Sequence, residues 1–182
     1  MAKWLKDLFE DYVKEELEED IVSSSDTPVV IGGIYFGSLA SLNSEKPNKP
    51  LYFIVIDKVD DNMYEVLKVS DHYEFATKTD VLIDIGVMTI MVEVGNNFYL
   101  SKGEIKKFTL ISQVSEQDVQ DILLFRDGEE PYRPLRVGVT PIYREDIRNQ
   151  FNETEFRMIE DLHIRVLQNC EDPEEEESLE EE

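Results

Sequence analysis

Residues 50–70 read PLYFIVIDKVDDNMYEVLKVS. This stretch contains two apolar runs, 51–58 and 63–70, that are rich in the β-branched and aromatic residues typical of strands. Asp60, Asp61 and Asn62 lie between the runs, and these residue types tolerate the backbone angles of a tight turn. The stretch therefore predicts an antiparallel β-hairpin.

Similar short runs lie on both sides of this hairpin and predict further strands near residues 29–37, 81–85, 87–94, 98–101 and 105–111. Gly95-Asn96-Asn97 predicts a second hairpin turn between 87–94 and 98–100. Closing so small and bent a sheet would remove its exposed edges. We therefore predict an α+β fold with a mainly β core, namely a small SH3-like antiparallel barrel over residues 29–127 with amphipathic helices at both ends.

Helical periodicity marks the regions around this barrel. Residues 1–22 carry apolar side chains at three- and four-residue spacing and predict an amphipathic helix, which a Ser-rich linker over 23–28 separates from the barrel. Ser115, three residues before Asp118, predicts a capped helix that closes the barrel domain by residue 127.

The C-terminal third contains three predicted segments. Residues 128–139 contain two prolines and predict an extended strap. Thr140-Pro141 is typical of a helix start and predicts a helical segment over 140–170, which Asn152 followed by Glu155 could restart as a second helix. Residues 171–182 include nine acidic side chains and predict a disordered tail.

The net charge excludes several functions. The chain of 182 residues has 41 acidic and 18 basic side chains, giving a formal charge of −23. Coating nucleic acid or an anionic membrane requires Lys and Arg to neutralise phosphates, so this balance disfavours both partners. The longest apolar run, 51–56, is far shorter than the ~20 residues that cross a bilayer.

The N-terminal residues and the cysteine count predict a cytoplasmic location. Trp4, Asp7 and Glu10 stand where a signal peptide would have its apolar core. The single cysteine, Cys170, permits no internal disulfide, and the acidic residues after it would raise its pKa and keep it unreactive. The two histidines, His72 and His163, are not at metal-ligand spacing, so we expect neither a metal nor a cofactor.

Three short motifs share their order with a known family. Gly33-Ile34-Tyr35-Phe36 begins the predicted sheet, Lys49-Pro50 ends a polar loop before the next apolar strand, and Lys68-Val69-Ser70-Asp71 closes the third. Over residues 31–126 the chain resembles the PemK/MazF toxin endoribonucleases, which have an SH3-like barrel. The resemblance implies metal-independent cleavage of single-stranded RNA, with Lys49 at the position of the family's phosphate-stabilising arginine and Ser70 at the position of its catalytic hydroxyl.

Lysine at the position of the family's arginine counts against nuclease activity. Lysine lacks the planar, two-pronged hydrogen bonding with which arginine holds a phosphoryl group. Our leading hypothesis is therefore a non-enzymatic acidic module that binds proteins, either a second copy of itself or a basic partner. The alternatives are a sequence-specific endoribonuclease that uses Lys49 and Ser70, and a nucleic-acid mimic that occupies a basic site on a partner.

The terminal helices supply the predicted interaction residues. Their large apolar side chains would dock on a partner or, in the simpler interpretation, complete the core of this chain. The predicted interaction residues are Trp4, Leu8, Phe9, Tyr12, Phe151, Phe156 and Ile159. Four of them, Trp4, Phe9, Phe151 and Phe156, would expose sizeable apolar patches unless they are paired, so a homodimer is expected.

Overall fold

The computed structural model describes residues 3–18 and 26–163. Within them the strands are β1 Gly33–Ser38, β2 Pro50–Lys58, β3 Met63–Ser70, β4 Asp80–Asp84, β5 Thr89–Ser101, β6 Thr109–Gln113 and β7 Arg136–Val137. The helices are α1 Lys3–Lys14, α2 Lys102–Ile105, α3 Glu116–Arg126, α4 Ile147–Met158 and α5 Glu160–His163. No helix in these two ranges has the length and apolar character to cross a membrane.

The strands form one curled antiparallel sheet in the order β6-β1-β2-β3-β5-β4-β7, so the predicted α+β class is confirmed. The predicted β2–β3 hairpin is also confirmed. Its turn is fixed by Asp60, whose carboxylate accepts hydrogen bonds from the backbone N–H groups of Asn62 and Met63. The sheet is a half-barrel.

The second predicted hairpin is wrong. Gly95-Asn96-Asn97 lies inside one long strand, β5, where Asn97 pairs with Leu67 but Glu93 pairs with Lys68. Residues 94–96 are therefore an insertion that bulges out of the ladder with β3. Glycine and asparagine suit a bulge as well as a turn, so their presence alone did not distinguish the two. The actual turn before β5 contains Gly86, at φ +89°.

The sixth strand also differs from the prediction of 105–111. Residues 102–105 form the short helix α2, and β6 begins only at Thr109. Ser101 caps this helix, because its Oγ accepts from the Glu104 N–H while the Glu104 carboxylate accepts from the Ser101 N–H. The same arrangement of Ser115 and Asp118 begins α3, as predicted.

The helices in the terminal segments are shorter than predicted. Helix α1 ends at Lys14, and residues 23–25 of the predicted linker lie outside the described residues. Residues 140–146 are not helical, and α4 begins after Asp146, whose carboxylate accepts from the Arg148 N–H. The strap continues through Pro141 because Val139 bridges to Thr77 at the edge of the sheet. The predicted tail and Cys170 lie outside the described residues.

Helices cover both faces of the sheet. Helix α3 packs its Val119 and Ile122 on one face, against apolar side chains of β1 to β5. Helices α1 and α4 lie together on the other face, where Phe151 of α4 is fully buried against α1 and the sheet. Helix α5 adds Leu162 to the neighbouring core. The face beneath α1 and α4 also contains the charged residues considered next.

Candidate functional site

Lys49, at the arginine position of the resemblance, is engaged by helix α1. Its Nζ donates a 2.7 Å hydrogen bond to the carbonyl oxygen of Val13, and lies 6.0 Å from the centre of the Tyr12 ring. The last carbonyls of a helix lack partners within the helix and carry partial negative charge, so an ammonium group there is stabilising. Lys49 thus holds the C-terminal end of α1 against the sheet.

Ser70, at the hydroxyl position, is 4% exposed at the end of β3. Its Oγ accepts a hydrogen bond from the backbone N–H of His72, which is a turn contact. The His72 ring packs edge-on against the Tyr12 ring at 5.2 Å, and its Nε2 lies 3.1 Å from Glu15 Oε2. Lys49 and Ser70 therefore both lie beside Tyr12 and its neighbours, but no hydrogen bond between their side chains is found in the described residues.

A buried ionic cluster that was not predicted from the sequence lies on the same face. Lys68 of β3 is 2% exposed, and its ammonium contacts the carboxylate of Glu155 on α4. A second carboxylate, that of Glu93 on β5, lies 3.9 Å from Lys68 Nζ. The hydroxyl of Tyr12 donates to the other oxygen of Glu155. The cluster therefore joins the central strands to both covering helices.

The strand register creates this cluster. Glu93 stands directly opposite Lys68 on one side and Asp80 of β4 on the other, so three charged side chains form a row across the sheet. The bulge in β5 then brings Asn96 back over the row, where its amide donates a 2.7 Å hydrogen bond to Glu93 Oε2. The residues that resemble a turn in the sequence thus provide a partner for a buried carboxylate.

Burial determines the protonation of these groups. It raises the pKa of Glu93 above its ordinary value, although the Lys68 ammonium opposes the shift, and it lowers the pKa of Lys68. Burial also raises the pKa of the Tyr12 phenol, and the charges of Glu93 and Glu15 add to the shift. Tyr12 therefore keeps its proton at neutral pH and can donate to Glu155. Among the residues that the structure describes, the Lys68 ammonium is the one cation facing the carboxylates of Glu93 and Glu155.

The raised pKa of Glu93 has a consequence for stability. The folded chain binds this proton more tightly than the unfolded chain does, so this residue makes the free energy of unfolding fall as the pH rises above 4.5, the ordinary pKa. Glu93→Gln removes that decline. Urea unfolding should show the variant gaining stability relative to the wild type as the pH is raised above 4.5. Glu116→Gln, at an exposed position, is the control, and an equal trend in both variants would contradict the assignment.

The structure corrects part of the predicted interaction surface. Tyr12, Phe151 and Ile159 are buried in the core of this chain and are not available to a partner. Leu8 and Phe9 are half-buried against the same core. Trp4 and Phe156 remain exposed, at 57% and 45%.

The sequence does contain a signal for the buried cluster. Lys68 interrupts the apolar run VLKV, and Glu93 interrupts the run MVEV in a second strand. Opposite charges inside two apolar strands indicate a buried pair once those strands are known to be neighbours. That adjacency was hidden because 87–94 was predicted to pair with 98–100.

Comparison of the chain with protein-family models, curated proteins and solved structures finds no match. The resemblance to PemK/MazF nucleases therefore stays a prediction. Nor does the described part of the chain contain a group of three or more His, Cys, Asp or Glu side chains that could hold a metal ion. The function has to be argued from the contacts described above.

Proposed function

We propose that this chain is a non-enzymatic, acidic protein-binding module built on a PemK/MazF-like half-barrel. The observation that carries the proposal is the hydrogen bond from Lys49 Nζ to the Val13 carbonyl. A cation that stabilises a phosphoryl transition state must be free to reach the phosphate. Here the cation at that position caps a helix of the same chain.

The surroundings of Ser70 favour the same conclusion. A catalytic hydroxyl has to contact the substrate, whereas Ser70 is 4% exposed and its oxygen accepts from the His72 backbone. For the endoribonuclease alternative, α1 would have to leave the sheet, which would expose Tyr12 and the apolar core beneath it. Exposing this apolar surface to water is unfavourable, and its free-energy cost grows with the area uncovered.

The charge favours a basic protein as the partner. With a formal charge of −23, the chain attracts basic surfaces at long range and repels RNA and DNA. The exposed rings of Trp4 and Phe156 are the kind of aromatic anchors that contribute most to protein interfaces. A nucleic-acid mimic would share the charge, but it would bind in a groove that normally holds phosphates.

The test is a cleavage assay on a broad pool of single-stranded RNA, run with the wild type and with Lys49→Ala. We expect no cleavage by either protein. Lys49→Ala should instead lower the free energy of unfolding by about 1 kcal/mol, because it removes the hydrogen bond that caps α1. Lys78→Ala, at an exposed lysine, is the matched control and should change stability little. Cleavage by the wild type that disappears in Lys49→Ala or Ser70→Ala would overturn the proposal.

A homodimer remains part of the proposal, but fewer exposed residues support it. It was predicted from Trp4, Phe9, Phe151 and Phe156, but the fold of one chain covers Phe151 fully and Phe9 partly. Trp4 and Phe156 are the two of these side chains that remain exposed to a second copy. Light scattering at micromolar concentration tests it, and a monomer there would remove self-association as the binding mode.

A further inference from the structure

A small pocket with several polar side chains in its lining lies between the bulge of β5 and helix α4. It has a volume of about 190 Å³ and is open to solvent. Its lining consists of Thr79, Asp80, Glu93, Gly95, Asn96, Asn152 and Phe156. Pockets for metabolites and drugs are usually about 300–1,000 Å³, so this one is better matched to a single side chain.

Two acceptors in the lining have no hydrogen-bond donor within the described residues. They are Glu93 Oε1 and Asn96 Oδ1, on side chains that are 4% and 6% exposed. Lys68 Nζ lies 3.9 Å from Glu93 Oε1, too far for a hydrogen bond. Both oxygens are buried beneath the pocket wall, and a buried acceptor left without a donor costs about 1–3 kcal/mol, so a ligand that brings donors would be stabilised once the Asn96 side chain turns to admit it.

The charge around the pocket favours a cationic donor. In the described part of the chain, the Lys68 ammonium is the one cation facing the carboxylates of Glu93 and Glu155, and Asp80 stands opposite Glu93 across the sheet. Asp80 Oδ2 accepts two hydrogen bonds from Thr77, whereas no donor to Glu93 Oε1 is found in the described residues, so the Glu93 carboxylate retains an unused acceptor. A divalent metal fits poorly, because the Lys68 ammonium would face it from 3.9 Å behind that oxygen.

The two acceptors and the aromatic ring at the pocket favour a guanidinium group over an ammonium. A guanidinium is planar and can donate to acceptors on two different side chains at once. It is also more weakly hydrated, and it stacks on aromatic rings. Phe156 provides such a ring at the pocket, 45% exposed and held in place by stacking on His163 at 4.7 Å.

We infer that this pocket receives an arginine side chain of a basic partner protein, donating to Glu93 and Asn96 and stacking on Phe156. The inference deepens the proposed function and depends on it for the identity of the partner. It also explains why the chain keeps two unpartnered acceptors beside an excess of buried carboxylates. Of the predicted interaction residues, Phe156 then has a defined role, because its ring stacks on the arginine.

The probe is N-acetyl-arginine-amide, added to the full-length ¹⁵N-labelled chain. We expect shifts of the Gly95 and Asn96 backbone amides and of the Asn152 side-chain amide. The citrulline analogue has nearly the same shape without the charge, and it should bind at least about tenfold more weakly. Equal binding of the two probes, or shifts that do not include the pocket, would overturn the inference.

A pair of variants on α4 makes the test specific. Asn152→Arg would place a cation of the chain itself in the pocket and should weaken arginine binding by at least about tenfold. Gln150→Arg adds the same charge to the same helix at an exposed position outside the pocket, and should leave binding unchanged. Equal loss in both variants would indicate general electrostatic repulsion, and no loss in either would place the probe elsewhere. Both results count against the pocket.

Thermal unfolding of both variants checks that the fold is intact. The outcome is separable from that of the RNA assay, because arginine binding is measured without RNA or a partner. An inactive chain that binds proteins but not the arginine probe would refute only this inference. A chain that cleaves RNA would refute the proposed function whatever the probe does.

Discussion

Replacing Lys68 with methionine is expected to lower the free energy of unfolding by about 3–5 kcal/mol at neutral pH. Methionine replaces the apolar stem of the side chain but lacks the ammonium, so it leaves the carboxylates of Glu93 and Glu155 buried without a cation. An unpaired buried charge is among the few single changes that destabilise a protein this strongly. Urea unfolding followed by fluorescence or circular dichroism would measure the loss.

The pH dependence of this loss identifies its cause. Protonation removes the buried negative charge, and burial already raises the pKa of Glu93. The effect of Lys68→Met should therefore be smaller near pH 5 than near pH 8, since the variant can neutralise its carboxylates in acid. Adding Glu155→Gln to Lys68→Met should restore part of the stability at neutral pH.

Lys78→Met is the matched control, because Lys78 is exposed near the start of β4. Its effect should stay within about 0.5 kcal/mol, as is usual for surface substitutions. A loss in Lys68→Met no larger than in this control would mean that the ionic cluster does not stabilise the fold. A large loss that is independent of pH would point to packing of the lysine stem in place of its charge.

Local sequence signals predicted the elements whose structure is determined locally. The β2–β3 hairpin follows from Asp60, which satisfies the turn by itself, and α3 follows from the capping pair Ser115 and Asp118. These interactions join residues at most three positions apart. A reader of the sequence needs no knowledge of the rest of the fold to find them.

Elements that depend on distant partners were not predictable in the same way. Gly95 and Asn96 are residue types found both in turns and in bulges, and pairing with β3 decides between the two. Thr140-Pro141 resembles a helix start, but the bridge between Val139 and Thr77 keeps the strap extended. In each case a tertiary contact outweighs a local preference that is small by comparison.

The same contrast between local and distant contacts applies to the candidate site. Lys49 and Ser70 were selected by position in the chain, but their roles depend on α1, whose Val13 lies 36 residues before Lys49. The linker between α1 and the sheet does not reveal where the helix docks. The charges of Lys68 and Glu93 were visible in apolar strands, but their pairing required the register of β3 with β5.

Replacing Phe151 with alanine is expected to lower the free energy of unfolding by about 3–5 kcal/mol. Its ring is fully buried, stacked on Phe75 at 4.4 Å and packed on Tyr12 at 4.7 Å. The substitution leaves a cavity where α1, α4 and the sheet meet. Urea unfolding would measure the loss, with the slope against denaturant showing whether the native state has also loosened.

Phe156→Ala is the matched control on the same helix. Its ring is 45% exposed, so its removal should cost no more than about 1 kcal/mol while weakening the binding of N-acetyl-arginine-amide. Phe151→Ala should have the opposite profile, because Phe151 does not line the pocket. It should lower the free energy of unfolding, and it should weaken arginine binding only if α4 itself becomes less ordered. If the two variants lost equal stability, α4 would not be anchored through Phe151, and the pocket formed by Asn152 and the β5 bulge would lack its rigid wall.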